Sequence, residues 1–212
     1  MPCRYLKSEP QMYKVFIQNR PIFFISAKEI EKHDGIFVKE KFAITDKVEL
    51  TELLTNLPPH LFLHVICENP EETLALFFEN HQKIEAAGGI VKRKEKFLFI
   101  KRNGLWDIPK GKLEGNETPE IGALREIEEE CGISNFELKE HILTTYHTYE
   151  YKGMPTLKKT YWFGFEYDGP KEGIPQTEEG ITKIAWKKKE DLNKILENTY
   201  ASIADVIYAY FN

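Results

Sequence analysis

Three cysteines in 212 residues, Cys3, Cys67 and Cys131, are too few and too scattered for a disulfide framework, and none sits in the Cys-x-x-Cys spacing of a zinc site. The thiols read as reduced, and a metal here should have oxygen ligands. No run approaches the roughly 18 apolar residues that a membrane-spanning helix needs, and no basic segment leads into an apolar stretch at the start. A cytoplasmic chain without a membrane partner is expected. Positive charge is also short: 29 Lys and Arg stand against 34 Asp and Glu, a net charge of −5. No global basic field would attract nucleic acid, so an anionic substrate must be met by local cations.

What the chain does have is periodicity. Its 42% hydrophobic residues can supply a core, and its length suits one large domain or a medium domain with a small extra unit. Residues 13–17 and 22–25 are apolar runs around Gln18-Asn19-Arg20-Pro21, the pattern of a hairpin. Leu50, Leu53, Leu54 and Leu57 repeat at helical spacing before Pro58-Pro59. Residues 61–67 read as a buried strand. Asn69-Pro70-Glu71-Glu72 then reads as a helix start, with Leu74, Phe77, Phe78 and His81 as its apolar face. Residues 1–84 thus predict a small α/β unit of unknown role. Beyond it, 86–91 and 96–102 suit a hairpin, strands fit 136–151, 157–167 and 181–186, and helices fit 190–197 and 200–210.

Residues 111–133 read GKLEGNETPEIGALREIEEECGI. Thr118 suits an N-cap, Pro119 the first helical position and Gly132 the end, so a helix over roughly 119–131 is expected. At about 100° per residue, Glu126, Glu129 and Glu130 share one face, while Leu124, Ile127 and Cys131 oppose them and face the core. Glutamates stacked at this spacing repel unless a cation compensates them. A solvated acidic face is the plain alternative. Hard oxygen donors favour Mg²⁺ or Mn²⁺ over zinc.

The loop ahead of the helix decides between these readings. Gly111, Glu117, Arg125, Glu126, Ile127, Glu129, Glu130, Gly132 and Ile133 fill every fixed position of a known signature: Gly, five residues, Glu, seven residues, Arg-Glu, an apolar residue, any residue, Glu-Glu, any residue, Gly and an apolar residue. In these residues the chain resembles the Nudix hydrolase family, over about residues 85–212, and a chance match is on the order of one in a million. The resemblance implies an α/β fold, a Nudix-type α/β/α sandwich with a mixed sheet, preceded here by the small α/β N-terminal unit. It also implies hydrolysis of a diphosphate bond by water activated at one or more divalent ions. Carried over by position, Glu129 and Glu130 are metal ligands, as is the backbone carbonyl of Lys110. Glu126 is either a ligand or the group that orients or deprotonates the attacking water. Mg²⁺ is the expected ion, with Mn²⁺ as the alternative. Arg125 either supports the loop through an ion pair with Glu117 or contacts phosphate. Gly111 and Gly115 supply backbone conformations that a Cβ would hinder. Glu178 and Glu179 lie before the last core strand, where many family members carry another acid, with Glu179 put forward as catalytic; Glu166 is a weaker candidate.

Lys101, Arg102, Lys110 and Lys112 flank the motif and are the candidate phosphate-binding cations, although each alone also reads as ordinary surface charge. The lead-in Trp106-Asp107-Ile108-Pro109-Lys110-Gly111 resembles the Trp-x-x-Pro-Lys-Gly form of dinucleoside polyphosphate hydrolases. Tyr149 and Tyr151 lie 16 and 18 residues beyond Ile133, where such members often carry a tyrosine. With His147 they share a strand face, as a base-stacking platform or as cross-strand packing. Trp106 likewise reads as loop packing or as a stacking surface. The expected partner is a small anionic nucleotide, a dinucleoside polyphosphate or a relative of one. Nucleoside triphosphates, ADP-ribose-like nucleotide sugars and a nucleotide-sensing role are the alternatives. No nucleic acid partner is expected, and a homodimer stays open.

Overall fold

A computed structural model describes residues 12–32, 35–39, 61–170 and 172–212, with the single residues 52, 56 and 58. Cys3 and the helix expected around Leu50, Leu53, Leu54 and Leu57 lie outside the described residues. The chain divides into two compact units, Met1–Gln82 with Thr148–Pro155, and Lys83–His147 with Thr156–Asn212.

In the first unit, β1 (Met12–Ile17) and β2 (Arg20–Ser26) form the expected hairpin. Its turn is shorter than the sequence suggests. Gln18 and Asn19 alone make it, both at positive φ (50° and 64°), the geometry that matches strand twist. Arg20 and Pro21 therefore belong to β2, where Pro21 pairs with Phe16. Strand β4 (Leu63–Cys67) runs parallel to both β2 and β3 (Ile36–Lys39). Helix α1 (Pro70–Phe77) begins as predicted: the Asn69 side-chain oxygen accepts from the backbone of Glu71 at 3.1 Å and Glu72 at 3.2 Å. Leu74, Phe77 and Phe78 are buried, and both phenylalanines meet Phe24 edge-on. His81 lies beyond the end of the helix.

The second unit is built on β5 (Gln82–Arg93), β6 (Lys96–Arg102), β9 (Glu137–Tyr151), β10 (Met154–Glu166) and β11 (Ile181–Lys188), except for Gln82 and the part of β9 and β10 within Thr148–Pro155, which belong to the first unit. The strand order is β11-β6-β5-β10-β9. Successive side chains of a strand point to opposite faces, so β6 feeds two cores at once. Leu98 and Ile100 pack with Ala123, Ile127 and Cys131 of α2 (Pro119–Cys131), together with Phe163, Phe165 and Ile181. Phe97 and Phe99 point the other way, to Ile90, Trp162 and the apolar stripes of α3 (Leu192–Leu196) and α4 (Ala201–Phe211). Helices thus cover both faces of the sheet, as an α/β/α sandwich requires.

Strand β3 was not foreseen, and in the second unit neither were two shorter strands, β7 (Leu105–Asp107) and β8 (Lys110–Lys112). Three residues are too few to show a period. Strand β7 folds back on β6 through Asn103 and Gly104, both at positive φ (52° and 82°). Strand β8 lies along β5 with Gly88 opposite Lys110. A Cβ at Gly88 would collide with Pro109 and Lys110, so this glycine permits the close approach. Among the described residues no helix is long and apolar enough to cross a membrane. Cys67 and Cys131 are buried, and among the described residues neither is in a disulfide.

Ile127 has no exposed surface. Ile127→Ala should therefore lower stability in urea denaturation by about 3 kcal/mol, whereas Glu128→Ala on the exposed side should change it by less than about 0.5 kcal/mol. Equal losses would contradict this assignment of the helix faces.

Candidate active site

Helix α2 has the bounds its caps dictate. Thr118 accepts from the Ile121 backbone at 3.4 Å, and Gly132, at φ 63°, ends the helix in the left-handed conformation. Its acidic face corrects the sequence reading, which turned all three glutamates away from the core. Glu129 is exposed, but Glu126 is 7% exposed and Glu130 has no exposed surface. The cause is β8, which packs over this part of the helix. The Lys110 backbone N–H donates to Glu130 Oε2 at 2.9 Å. A Cβ at Gly111 would collide with the carboxylate of Glu126, so a side chain there would push that carboxylate out of its place.

Two arginines supply the charge that the acids require. Arg125 grips Glu117 with both ends of its fork, Nε to Oε1 at 2.7 Å and Nη2 to Oε2 at 2.9 Å, and Nη2 also reaches the Lys112 carbonyl at 2.9 Å. Its Nη1 donates to Glu126 at 2.9 Å and to Glu129 at 3.0 Å. The expected Glu117–Arg125 pair is thus present, and the same arginine also holds two of the candidate ligands. Arg102 joins Glu130 at 3.1 Å to Glu179 at 2.8 Å. Glu179 follows Glu178 in a short 3-10 turn, Thr177–Glu179, and is the one that reaches the cluster.

The titration behaviour follows from this geometry. The hydrogen bond from Arg125 holds the Glu117 carboxyl down at about 2. Burial raises Glu126, although Arg125 pulls it the other way. Burial also pushes Glu130 up to about 7, against the pull of the Lys110 ammonium, its backbone N–H and Arg102.

The remaining candidates separate. Lys110 pairs with Asp107 at 2.5 Å, and Asp107 also caps the Ile108 backbone at 2.8 Å. Lys101 lies 5.6 Å from the centre of the Trp106 ring and Lys187 5.3 Å from it, which places cations over its π face. Lys112 contributes its carbonyl to Arg125. Glu166 is engaged elsewhere, with Lys139 at 3.0 Å and Lys92 at 3.9 Å. Tyr149 and Tyr151 belong to the first unit, where they meet edge-on with centroids 6.2 Å apart. Sequence reasoning missed Asp107 and Lys158. Burial and the neighbouring Lys110 draw the Lys158 ammonium down to about 8, and burial with Lys158 and Lys110 draws His147 down to about 4. The signal available was the alternation Lys158, Thr160, Trp162 on one strand face.

The donor set on α2 is all oxygen, which suits a hard divalent cation. Burial of Glu126 and Glu130 fits the same role, because a divalent ion would offset the cost of their ionised forms. Among the described residues no three Asp, Glu, His or Cys side chains already converge as a cage for such an ion, and the arginines hold the carboxylates instead.

The NUDIX domain model matches residues 82–211. A MutT-like protein of Streptomyces ambofaciens is 32% identical over 120 residues, covering 56% of this chain and 71% of that protein. An 8-oxo-dGTP diphosphatase of Proteus vulgaris is 42% identical over 59 residues, 24% of this chain and about half, 53%, of that protein. A solved Ap4A hydrolase from C. elegans, in a binary complex, is 25% identical with a TM-score of 0.49, covering 60% of this chain and 94% of that one.

The raised Glu130 carboxyl has a consequence for stability in chelator. Between about 4.5 and about 7 the folded protein holds a proton that the unfolded chain has released. Stability should therefore be fully present below pH 4.5 and decline as pH rises through 7, by on the order of 2–3 kcal/mol from this group. Glu130→Gln should flatten that decline in unfolding measurements from pH 4.5 to 8. An unchanged slope would show that Glu130 ionises freely.

Proposed function

The chain belongs to the NUDIX family and is a Nudix-type pyrophosphohydrolase, and from that premise we propose that it is a Mg²⁺-dependent hydrolase cleaving a diphosphate bond in a dinucleoside polyphosphate or a related nucleotide. The observation that carries this reading is the gathering of Glu126, Glu129, Glu130 and Glu179 around Arg125 and Arg102. Glu126, Glu129, Glu130 and the Lys110 carbonyl would hold Mg²⁺, or Mn²⁺ in its place. Held there, such an ion would offset phosphate charge and would lower the pKa of a water bound to it.

The chain's own groups have separate tasks. Where Glu126 is not itself a ligand, it orients or deprotonates the attacking water, because a carboxyl raised by burial is a better base than an exposed one. Arg125 is a positioning residue that fixes Glu126 and Glu129 against the loop. Glu179 is the second acid beside the helix. Arg102, Lys101, Lys110 and Lys112 set positive charge against a phosphate chain. The substrate class rests on the Trp106 to Gly111 lead-in and on the positions of Tyr149 and Tyr151 in the sequence. Three widely spaced cysteines suit a cytoplasmic setting. The diphosphatase relative from Proteus vulgaris favours a second reading, hydrolysis of a nucleoside triphosphate.

A panel of dinucleoside polyphosphates, nucleoside triphosphates and ADP-ribose, assayed with Mg²⁺ and product analysis, separates the readings. The highest kcat/KM is expected on a dinucleoside polyphosphate. Glu129→Gln should lower kcat at least about 100-fold with an unchanged melting temperature, because Glu129 lies outside the core. Preference for a triphosphate would establish the second reading. Loss of stability in step with activity would make Glu129 structural, and no product from any compound would refute the enzyme assignment.

A further inference from the structure

Three cations, Arg102, Lys110 and Lys158, share the surroundings of Glu130 and Asp107. Two of them are already matched, Lys110 by Asp107 and Arg102 by Glu130 and Glu179. Lys158 is the surplus. It lies on β10 on the same face as Thr160 and Trp162 by strand alternation. Its neighbours Lys159 and Tyr161 take the opposite face and meet Glu85. On the adjacent strand, Thr145 accepts from Trp162 Nε1 at 2.8 Å, and His147, two residues on, falls on that same side beside Lys158. Burial and the two nearby lysines keep His147 neutral, so the positive charge here belongs to the lysines. Among the described residues the half-buried Lys158 ammonium has no ion pair or hydrogen bond. The buried Thr160 hydroxyl beside it likewise has no partner among them.

An ammonium withdrawn from water without a counter-ion is costly. Every carboxylate around it is already committed to another cation, so the missing charge has to come from solution. Building on the function proposed above, we propose that Lys158 is a ligand for a phosphate of the substrate's polyphosphate chain, gripping it from the sheet face that carries Thr160 and Trp162. The ligand class is a phosphate anion within a chain long enough to reach both Lys158 and the carboxylate cluster.

Calorimetric titration of the full-length protein with inorganic tripolyphosphate, in chelator, tests this. Lys158→Met should weaken binding at least about tenfold, the loss of one charge-assisted hydrogen bond. Lys158→Gln should do the same, and decides the matter if the methionine variant does not fold. Lys158→Arg should stay within about threefold of wild type, and ligand-free Lys158→Gln should melt no lower than wild type. Wild-type protein that does not bind tripolyphosphate, or Met and Gln variants that bind it undiminished, would overturn the proposal. So would weakened binding that tracks a lowered melting temperature, since Lys158 would then be packing. Turnover is a separate readout. Binding through Lys158 without hydrolysis of any nucleotide would sink the proposed function and leave this site, and hydrolysis with unchanged tripolyphosphate binding in the variants would sink this site alone.

Discussion

The carboxylate of Glu130 has no exposed surface, so its charge must be met from within the protein, and much of the site's construction follows from that requirement. Arg102 and the Lys110 backbone meet it from β6 and β8. The Lys110 hydrogen bond ties β8 to α2, and the Arg102 pair ties β6 to it; leaving the buried Glu130 carboxyl without them would cost the desolvation of an unsatisfied group, about 1–3 kcal/mol. On the same helix Arg125 does the equivalent for Glu126 and Glu129, and its fork ties in Glu117 and the Lys112 carbonyl. The opposite face of α2 is anchored by Ala123, Ile127 and Cys131 in the core. Clamped from both sides, the helix presents its acids in a fixed arrangement.

Much of this was legible in the chain. Thr118, Pro119 and Gly132 gave the helix bounds because caps act locally. Residues 96–102 read as a strand because a short apolar run, Phe97 to Ile100, is bounded by charged residues, the pattern of a strand buried on both faces. The burial of Glu130 was not legible: helical spacing says which side chains share a face, but not which distant segment will cover that face. Strand β8 does so, and at three residues it leaves no pattern. The same limit applies to Arg102, which read as a substrate cation and is also the counter-ion of Glu130. It applies to Glu179 over Glu178, a choice made by the turn at Thr177–Glu179. It applies to Tyr149 and Tyr151 as well, because counting residues beyond a motif does not reveal that Thr148–Pro155 falls in another unit.

The charge distribution reconciles an acidic chain with an anionic substrate class. Net charge is −5, yet Arg102, Lys110 and Lys158 are gathered around Glu130. Arginine stands where two acids must be bridged, since a planar fork can serve both at once. Lysine stands where a single partner suffices, as in Lys110 with Asp107.

If the carboxylates of α2 serve a divalent ion, calorimetric titration of the full-length protein with Mg²⁺ at pH 7, in two buffers of different ionisation enthalpy, will detect it. Saturable binding accompanied by proton release is predicted, because burial keeps Glu130 partly protonated near neutrality, and both should be lost in Glu130→Gln. Absence of saturable binding, or binding that Glu130→Gln leaves unchanged and that releases no proton, would contradict that role.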